Sequence, residues 1–370
     1  MNKNINFSHK SISKKDIDSV AKVLKSGWLT HGKYTQLFEK EFCNFVKSRY
    51  AVTVSSCTAG LHLSCLALEF KKGDEVILPA MSHTATAHAI EYTGAKPVFV
   101  DIDLMSGNID PDLIKKKITK KTKGIIIVHM AGFSCDMKKI QNICKKNKLQ
   151  LIEDCAHGLG TKYKKKHVGN FGVSGCFSFY PTKHITTGEG GMVVSNNKSF
   201  IDKIKKLKAF GIDTDIQKRK LPGIYNVKSL GYNYRMTDFQ SALGYFQLKR
   251  FKKNLSVRLK NAKTYERFLD NKNIRFKLFD KNSSYFVFQI FVKKRNHLIK
   301  ILKNKGIGSS IHYATPIPMF DYYKKRYKNK KNEFKNAIKY SNENISLPSH
   351  HQIKNQEIKK ICNLLTKEIK

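Results

Sequence analysis

The sequence predicts an α/β protein with a large domain built on a mostly parallel sheet (residues 1–250) and a smaller C-terminal α+β domain (residues 251–370). Between residues 50 and 153, short runs rich in β-branched residues alternate with helical segments, which is typical of a parallel sheet covered on both faces. After residue 254, a long polar helix with no strand partner of its own indicates a bridge to the second domain. A chain of 370 residues can bury a core large enough for both.

Two helices are predicted before the alternating part. The first covers residues 12–26 and ends at Gly27, a residue that commonly terminates helices. Its apolar residues fall on one side, as in an amphipathic helix: Ile17, Val20, Ala21, Val23 and Leu24. The second helix follows a loop and covers residues 38–46.

The alternating part contains five predicted strands, at residues 50–55, 75–78, 97–101, 124–130 and 149–153. The helices between them are predicted at residues 59–70, 84–92, 111–117 and 137–145. Two further apolar runs, at 176–180 and 191–194, are predicted to form a strand pair, and a helix follows at 239–249. In sheets of this kind, ligands bind at the C-terminal ends of the strands.

The C-terminal part is predicted to begin with a helix at 254–271, a strand at 284–292 and a helix at 296–305. Two more helices are expected near 334–340 and at 355–367. The basic run at 324–331 (KKRYKNKK) is interpreted as a solvated loop, the commonest use of a block of like charges.

The formal net charge of +42 suggests a nucleic-acid-binding protein, but the residue types argue against one. The basic residues are 61 lysines and only 9 arginines, spread along the whole chain. Arginine is the residue that phosphate and base recognition favours. Residues with A/T-rich codons are plentiful, so genomic base bias explains the charge better, and we expect no nucleic-acid partner.

Cysteine usage and hydropathy indicate a cytoplasmic protein. The eight cysteines form no C-x-x-C pair and lie mostly in apolar runs, as expected of reduced thiols that bind no metal. The N-terminal residues contain no apolar stretch of the kind that a signal peptide needs. No run approaches the roughly 18 apolar residues of a membrane span, so we expect no membrane partner.

Lys183 is the most informative residue of the chain. It follows an apolar, aromatic run that contains Ser178 and ends in Tyr180, and it precedes a Gly-rich turn and a second apolar strand. A lysine in this position is partly desolvated, so its amine is pushed toward the neutral form that attacks an aldehyde. Asp154 stands at the C-terminal end of another predicted strand. Pyridoxal phosphate (PLP) enzymes need this pair, a lysine on the cofactor's aldehyde carbon and a carboxylate on its ring nitrogen.

Three other segments contribute weaker signals. The run 55–60 (SSCTAG) between a strand and a helix could hold a phosphate at the helix N-terminus, although a plain N-cap by Ser56 or Thr58 is the commoner use. His83, just after a strand, could stack on a flat ring, although a lone histidine in a loop is weak evidence. The run 231–238 (GYNYRMTD) opens a helix, and N-capping by its last residues is the simpler explanation. Asp154 could likewise be a helix N-cap.

Taken together, these motifs resemble those of the DegT/DnrJ/EryC1/StrS aminotransferases, PLP enzymes that aminate keto-sugars carried on nucleotides. The resemblance spans nearly the whole chain and rests on these runs: 27–30 (GWLT), 56–59 (SCTA), 74–79 (DEVILP), 97–101 (PVFVD), 153–157 (EDCAH), 177–183 (FSFYPTK), 188–191 (GEGG), 231–236 (GYNYRM), 312–313 (HY) and 347–348 (LP). It implies the fold-type I architecture of PLP-dependent transferases, similar to aspartate aminotransferase.

The resemblance also implies a role for each matching residue. Lys183 would bind the cofactor as a Schiff base, Asp154 would pair with the pyridine nitrogen, and His157 would lie near the ring hydroxyl. The remaining cofactor contacts would come from His83 as the stacking residue and, at the phosphate, from Thr58, Ala59 and Ser178. Asn233 would reach the phosphate in the neighbouring subunit, which implies a homodimer with shared active sites. The substrate-binding residues would be Thr30, Arg235, His312 and Tyr313. Cys57 stands where many members carry Gly.

The function that follows is the transfer of an amino group, with glutamate as the expected donor, to a nucleotide-linked 4-keto-6-deoxy sugar, in the biosynthesis of an amino sugar for a surface polysaccharide or glycan. One branch of the family replaces the lysine with His and removes a hydroxyl; here that position is Lys183, and His184 only follows it. Three alternatives stay open at this point: amination at another keto position, a PLP-dependent sugar dehydratase, and a non-catalytic basic regulatory or nucleic-acid-binding protein.

Overall fold

A computed structural model describes residues 4–9, 12–213, 221, 223–269 and 273–369. Its strands are β1 (Tyr50–Val54), β2 (Glu75–Pro79), β3 (Lys96–Val100), β4 (Thr122–Val128), β5 (Gln150–Asp154), β6 (Lys162–Tyr163), β7 (Lys166–His167), β8 (Ser174–Ser178), β9 (Gly191–Ser195), β10 (Arg275–Phe276), β11 (Phe288–Phe291) and β12 (Asn344–Leu347).

The α-helices are α1 (Lys14–Ser26), α2 (Lys33–Val46), α3 (Cys57–Ala67), α4 (Thr84–Glu91), α5 (Pro111–Ile114), α6 (Met137–Asn147), α7 (Lys198–Leu207), α8 (Asp238–Phe268), α9 (Arg295–Asn304), α10 (Asp321–Tyr327), α11 (Lys335–Glu343) and α12 (Asn355–Glu368). Short 3₁₀ turns lie at Lys115–Lys117, Met130–Gly132, Ile317–Met319 and Lys331–Glu333.

The central sheet has seven strands in the order β1-β9-β8-β5-β4-β2-β3. Neighbouring strands from β3 through to β8 run parallel, whereas β9 runs antiparallel to both β8 and β1. The predicted α/β class and mostly parallel sheet are therefore confirmed. Because β4, β5 and β8 are parallel neighbours, their C-terminal ends meet at one edge, where a ligand site is expected.

Helix α1 forms as predicted, but its buried side coincides only in part with its apolar side. Ile17 and Leu24 are 59% and 52% exposed, and the buried residues include Asp16 and Val23. Asp16 closes the capping box at the start of the helix and also accepts a hydrogen bond from Arg250 Nη1 of α8 at 2.7 Å. A charged pair therefore determines which side faces the protein, and hydrophobic periodicity cannot detect that pair.

The predicted helices at 239–249 and 254–271 are a single helix, α8, of 31 residues. The residues between them, 250–253 (RFKK), continue the helix and contain no Gly or Pro to end it. The predicted end at residue 271 lies outside the described residues. The predicted boundary between residues 250 and 251 falls inside α8, so the division into two domains stays a prediction.

The C-terminal part contains a three-stranded antiparallel sheet in the order β10-β11-β12. The strand predicted at 284–292 is shorter, and β12 was not predicted because its run (NISL), although it alternates polar and apolar residues, is only four residues long. The basic run interpreted as a loop is in part the last turn of α10, where Lys324, Lys325 and Arg326 lie. Basic residues are favourable at this end of a helix because of its dipole.

The eight cysteines carry free thiols, and all but Cys43 are buried, as the sequence suggested. The main core lies between the central sheet, its flanking helices and the C-terminal sheet. Within the described ranges, no helix combines the length and the apolar character needed to span a bilayer.

Candidate active site

Asp154, the last residue of β5, carries the central carboxylate of the site and is only 4% exposed. Its Oδ2 accepts a hydrogen bond from the Thr86 hydroxyl at 2.9 Å, and its Oδ1 accepts one from the Ala156 amide at 3.0 Å. The thiol of Cys57 lies 3.8 Å from Oδ1. These contacts hold the carboxylate in place, and its charge interacts with the buried amine of Lys183.

Lys183 lies in the loop between β8 and β9. The loop is held by backbone hydrogen bonds from Lys183 N to Tyr180 O at 2.9 Å and from Thr187 N to Phe179 O at 3.0 Å. The amine stands over the ring of Phe286, 4.6 Å from its centroid. Burial lowers the pKa of this amine to about 8, and the charge of Asp154 partly opposes the shift. The neutral, nucleophilic form is therefore accessible near physiological pH, as the sequence predicted.

His157 is buried directly after β5 and stacks on Phe286, with ring centroids 4.2 Å apart. Its Nε2 lies 3.3 Å from the Tyr313 hydroxyl, whereas its Nδ1 is buried without a hydrogen-bond partner. Burial, reinforced by the charge of Lys183, holds the pKa of His157 well below its usual value. The ring is therefore neutral, with one nitrogen available to a polar group of a ligand.

His312 and Tyr313 come from the C-terminal part and complete this side of the site. His312 Nδ1 lies 2.9 Å from the Ser346 hydroxyl of β12, and burial lowers the pKa of His312 to about 3. Burial also raises the pKa of Tyr313. Both side chains are therefore neutral polar groups that can donate or accept hydrogen bonds.

His83 lies at the opposite wall, in the loop between β2 and α4. It is the N-cap of α4, because its Nδ1 accepts a hydrogen bond from Ala85 N at 3.2 Å. Its ring also meets Tyr313 edge to face, with centroids 5.9 Å apart. The structural role does not exclude the predicted one, since the ring remains exposed toward the site.

The first turn of α3 lies beside these residues and includes Thr58 and Ala59. Ser56 is the N-cap, as the simpler interpretation proposed, and its hydroxyl accepts a hydrogen bond from Ala59 N at 3.0 Å. Gly191 of β9 packs so closely that a Cβ there would lie 2.7 Å from the amide nitrogen of Cys57. Ser178, at the end of β8, accepts a long hydrogen bond from Tyr180 N at 3.4 Å. First-turn amides have no acceptor within their own helix, so an anion can bind there.

Three predicted residues lie in a separate group near the start of α8. Asn233 is exposed, and its Oδ1 accepts a hydrogen bond from Arg235 Nε at 3.0 Å. The Arg235 guanidinium stands over the ring of Phe210, 5.1 Å from its centroid. Thr30 is exposed and pairs with Thr237 through an isolated β-bridge. The segment contacts the start of α3 through its backbone, where Ser55 N donates to Tyr234 O at 2.8 Å, and through the Tyr234 hydroxyl, which lies 3.4 Å from His62 Nδ1.

A buried cluster of His129, Glu153 and Cys155 has the residue types of a metal site, but its oxygens already have hydrogen-bond partners. Glu153 accepts from three backbone amides, of Gly169, Phe171 and Gly172, and lies 3.1 Å from His129 Nε2. This pattern is that of a satisfied structural carboxylate, and it holds the turn before β8 against the end of β5.

The arrangement fits pyridoxal phosphate. A buried amine that is easily deprotonated, a buried carboxylate held by Thr86 and the Ala156 amide, and an unpartnered His157 Nδ1 lie around one site. Two residues of this site were not predicted. Thr86 holds Asp154. The only indication of this role in the sequence was the position of Thr86 four residues after Ser82, whose hydroxyl it also contacts. Phe286 contacts both His157 and Lys183 from the C-terminal part, and no local pattern reveals such a contact.

The comparisons with known proteins agree with this geometry. The model of the DegT/DnrJ/EryC1/StrS aminotransferase family matches residues 10–366. GDP-perosamine synthase from Vibrio cholerae is 36% identical over 352 residues, which cover 92% of this chain and 93% of the relative. PseC from Helicobacter pylori, an aminotransferase involved in the biosynthesis of pseudoaminic acid, has a TM-score of 0.91 and 32% identity, covering 99% of both chains. The PLP form of a putative sugar aminotransferase from Streptococcus pneumoniae has a TM-score of 0.92 and 29% identity, covering 99% of this chain and 98% of that one.

Proposed function

This chain belongs to the DegT/DnrJ/EryC1/StrS aminotransferase family and is a PLP-dependent sugar aminotransferase, and we propose that it moves an amino group from glutamate to C4 of a nucleotide-linked 4-keto-6-deoxy sugar. The observation that carries the proposal is the pairing of Lys183, whose pKa burial lowers to about 8, with the buried carboxylate of Asp154. The product would be an amino sugar for a surface polysaccharide or glycan.

Each residue of the site has a specific task in this proposal. Bound PLP supplies an electron sink that stabilises negative charge on the carbon next to the transferred nitrogen. Lys183 holds the cofactor at rest and, once released, moves a proton at that carbon, for which an amine with a pKa near 8 is suited. Asp154 keeps the ring nitrogen protonated, and Thr86 and the Ala156 amide keep Asp154 in place. His157 and Tyr313 present neutral polar groups to the cofactor and the substrate.

Amination is favoured over removal of a hydroxyl because an amine is present where the dehydrating branch has histidine. His184, the neighbouring histidine, is buried, and its Nε2 lies 3.2 Å from Ser284 O. It therefore serves the packing of the loop and does not replace Lys183.

A nucleotide-linked substrate is supported by the relatives and by the positions of the proposed binding residues. The related Vibrio cholerae protein is named for GDP-perosamine. His312 and Tyr313 would contact the sugar next to His157, whereas Thr30 and Arg235 would contact the nucleotide farther out. An assay with substrates that carry thymine, uracil or guanine identifies the base of the nucleotide.

We further propose a homodimer in which Asn233 of one subunit contacts the cofactor phosphate of the other. The segment before Asn233 exposes large apolar side chains that an isolated chain would leave in water: Leu221, Ile224, Tyr225, Val227 and Leu230. A second copy of the chain that covers this segment would bury those side chains and bring Asn233 to its site.

The test is an assay of the PLP-loaded protein with glutamate and a panel of UDP-, GDP- and dTDP-linked 4-keto-6-deoxy sugars. We expect 2-oxoglutarate and an amino sugar from one member of the panel, and mass and NMR analysis of the product show which carbon carries nitrogen. The corresponding free keto-sugar is the control, and we expect it to be a far poorer substrate because it lacks remote binding energy. Equal kcat/KM for free and linked sugars would refute the nucleotide part of the proposal.

A further inference from the structure

A small cavity lies on the far side of Phe286, next to the active site. It is lined by Phe7, Ser8, Thr182, Arg258, Phe286, Val287, Ser349 and His350. Its volume of about 10 Å³ is close to the minimum that one water molecule or one monatomic ion requires. Thr182 directly precedes Lys183, so the cavity adjoins the loop that presents the reactive amine.

Arg258 of α8 brings a positive charge to this cavity and is only 6% exposed. Its Nη1 donates to three backbone carbonyls, those of Tyr285, Phe286 and Ser349, at 3.1–3.2 Å. Its Nε is buried without a hydrogen-bond partner. Carbonyl oxygens carry only partial charge, so they do not neutralise a guanidinium taken out of water.

The surroundings of Arg258 supply no compensating carboxylate. Burial is the cause that lowers the pKa of Arg258 to about 10, and no acidic residue of the described chain offsets it. Burial and the charge of Arg258 lower the pKa values of both His350 and His351 to about 4, so these rings are neutral at physiological pH. Glu357 acts on His350, but more weakly than Arg258 does. The field in the cavity is therefore positive.

Ser349 adds a second unpartnered polar group. It is 3% exposed, and its hydroxyl has no hydrogen-bond partner, although its carbonyl lies 3.1 Å from Arg258 Nη1. Two buried donors, one of them charged, thus lie at a cavity of single-ion size. An unsatisfied buried donor costs stability, and a water molecule would satisfy the hydrogen bonds but would not neutralise the charge.

We propose that this cavity binds a monatomic anion, chloride in the cell, between the Arg258 Nε–H and the Ser349 hydroxyl. The anion neutralises the buried guanidinium and ties α8 to the segment after β12 and to Thr182. Polyatomic anions such as sulfate or gluconate are too large for the cavity. The proposal concerns a structural site and does not depend on which sugar the enzyme aminates.

Two measurements on the PLP-loaded protein test it. The first is thermal unfolding at constant ionic strength with chloride exchanged for gluconate. We expect chloride to raise the wild-type Tm by about 2 °C, because a ligand that binds only the folded state stabilises it. Ser349→Ala should lose most of this increase. The matched control is Ser341→Ala. Ser341 is a buried serine whose hydroxyl already donates to Ile338 O at 2.8 Å, so this variant should keep the increase.

The second measurement is a crystal structure with chloride replaced by bromide, whose anomalous scattering distinguishes it from water. A peak within hydrogen-bond distance of Arg258 Nε and Ser349 Oγ supports the proposal. A cavity that holds only water in crystals with about 100 mM bromide overturns it. This concentration is roughly the physiological halide range and lies well above a useful Kd. Equal chloride stabilisation of wild type and Ser349→Ala also overturns it, because the effect would then come from the surface charge of this +42 chain. Arg258 itself is not substituted, since it also holds three carbonyls.

Discussion

Replacing Lys183 with Met should stabilise the cofactor-free protein, and the gain should disappear at high pH. Burial lowers the pKa of Lys183 to about 8 from the model-peptide value of 10.5. A difference of about 2.5 pKa units corresponds to about 3 kcal/mol of unfolding free energy, at 1.36 kcal/mol per unit. This is the energy that the folded protein loses by keeping a charged amine partly out of water.

The direction in which stability changes with pH follows from the number of protons that the folded and unfolded states bind. Below pH 8 the amine is charged in both states, so the full cost is present in the wild type. Between pH 8 and 10.5 the unfolded chain binds more protons than the folded one, so wild-type stability rises with pH. Above pH 10.5 the amine is neutral in both states and the cost is gone. The Lys183→Met protein has no amine at this position, so the amount by which it is more stable than the wild type should shrink between pH 8 and 10.5.

The assay is urea unfolding of both cofactor-free proteins between pH 7 and 10.5, with the difference in unfolding free energy plotted against pH. Titrating groups away from Lys183 are common to both proteins and cancel in the difference, and His157 and His312, whose pKa values the charge of Lys183 helps to lower, are neutral throughout this pH range. Lys138→Met is the control, because this lysine is exposed on α6 and its removal should give no comparable pH-dependent gap. A Lys183→Met difference that stays constant with pH would show that the amine is not desolvated, and the argument for its nucleophilicity would fail.

Three other outcomes are expected. Asp154→Asn should lower kcat at least about a hundredfold with PLP still bound, since an amide cannot keep the ring nitrogen protonated; a near-normal kcat would reduce this residue to a structural role. Lys183→Ala and Asn233→Ala dimers, each impaired, should regain activity when dissociated and mixed, because one site of the heterodimer is intact; confirmed heterodimers without activity would place Asn233 in its own subunit's site. Asp16→Asn should lower the urea-unfolding free energy by about 3 kcal/mol by removing the buried carboxylate that pairs with Arg250, and an unchanged midpoint would contradict this.

The parts of the site that could be predicted are those that depend on local sequence. Lys183 and Asp154 each follow a strand, and parallel strands bring their C-terminal ends together, so the order of the motifs was enough to place both side chains at one edge. Phe286 could not be predicted because its contact with Lys183 joins residues 103 positions apart in sequence (286 minus 183) and depends on how the C-terminal part packs. The buried side of α1 was missed for a similar reason, since Arg250 selects it from another helix.

Helix α8 is continuous where two separate helices were predicted, and this continuity matters for function. It begins at Asp238, directly after the segment that contains Asn233, and its middle carries Arg258 to the carbonyl of Phe286. A single helix of 31 residues is about 46 Å long and stiff. A shift at its first turn is therefore transmitted to Phe286, the ring over which the Lys183 amine stands. Two helices with a loop between them would absorb that shift. In the proposed homodimer, subunit contacts near Asn233 are therefore expected to influence the position of Phe286, and an Asn233 substitution should alter the pH dependence of Lys183 as well as cofactor affinity.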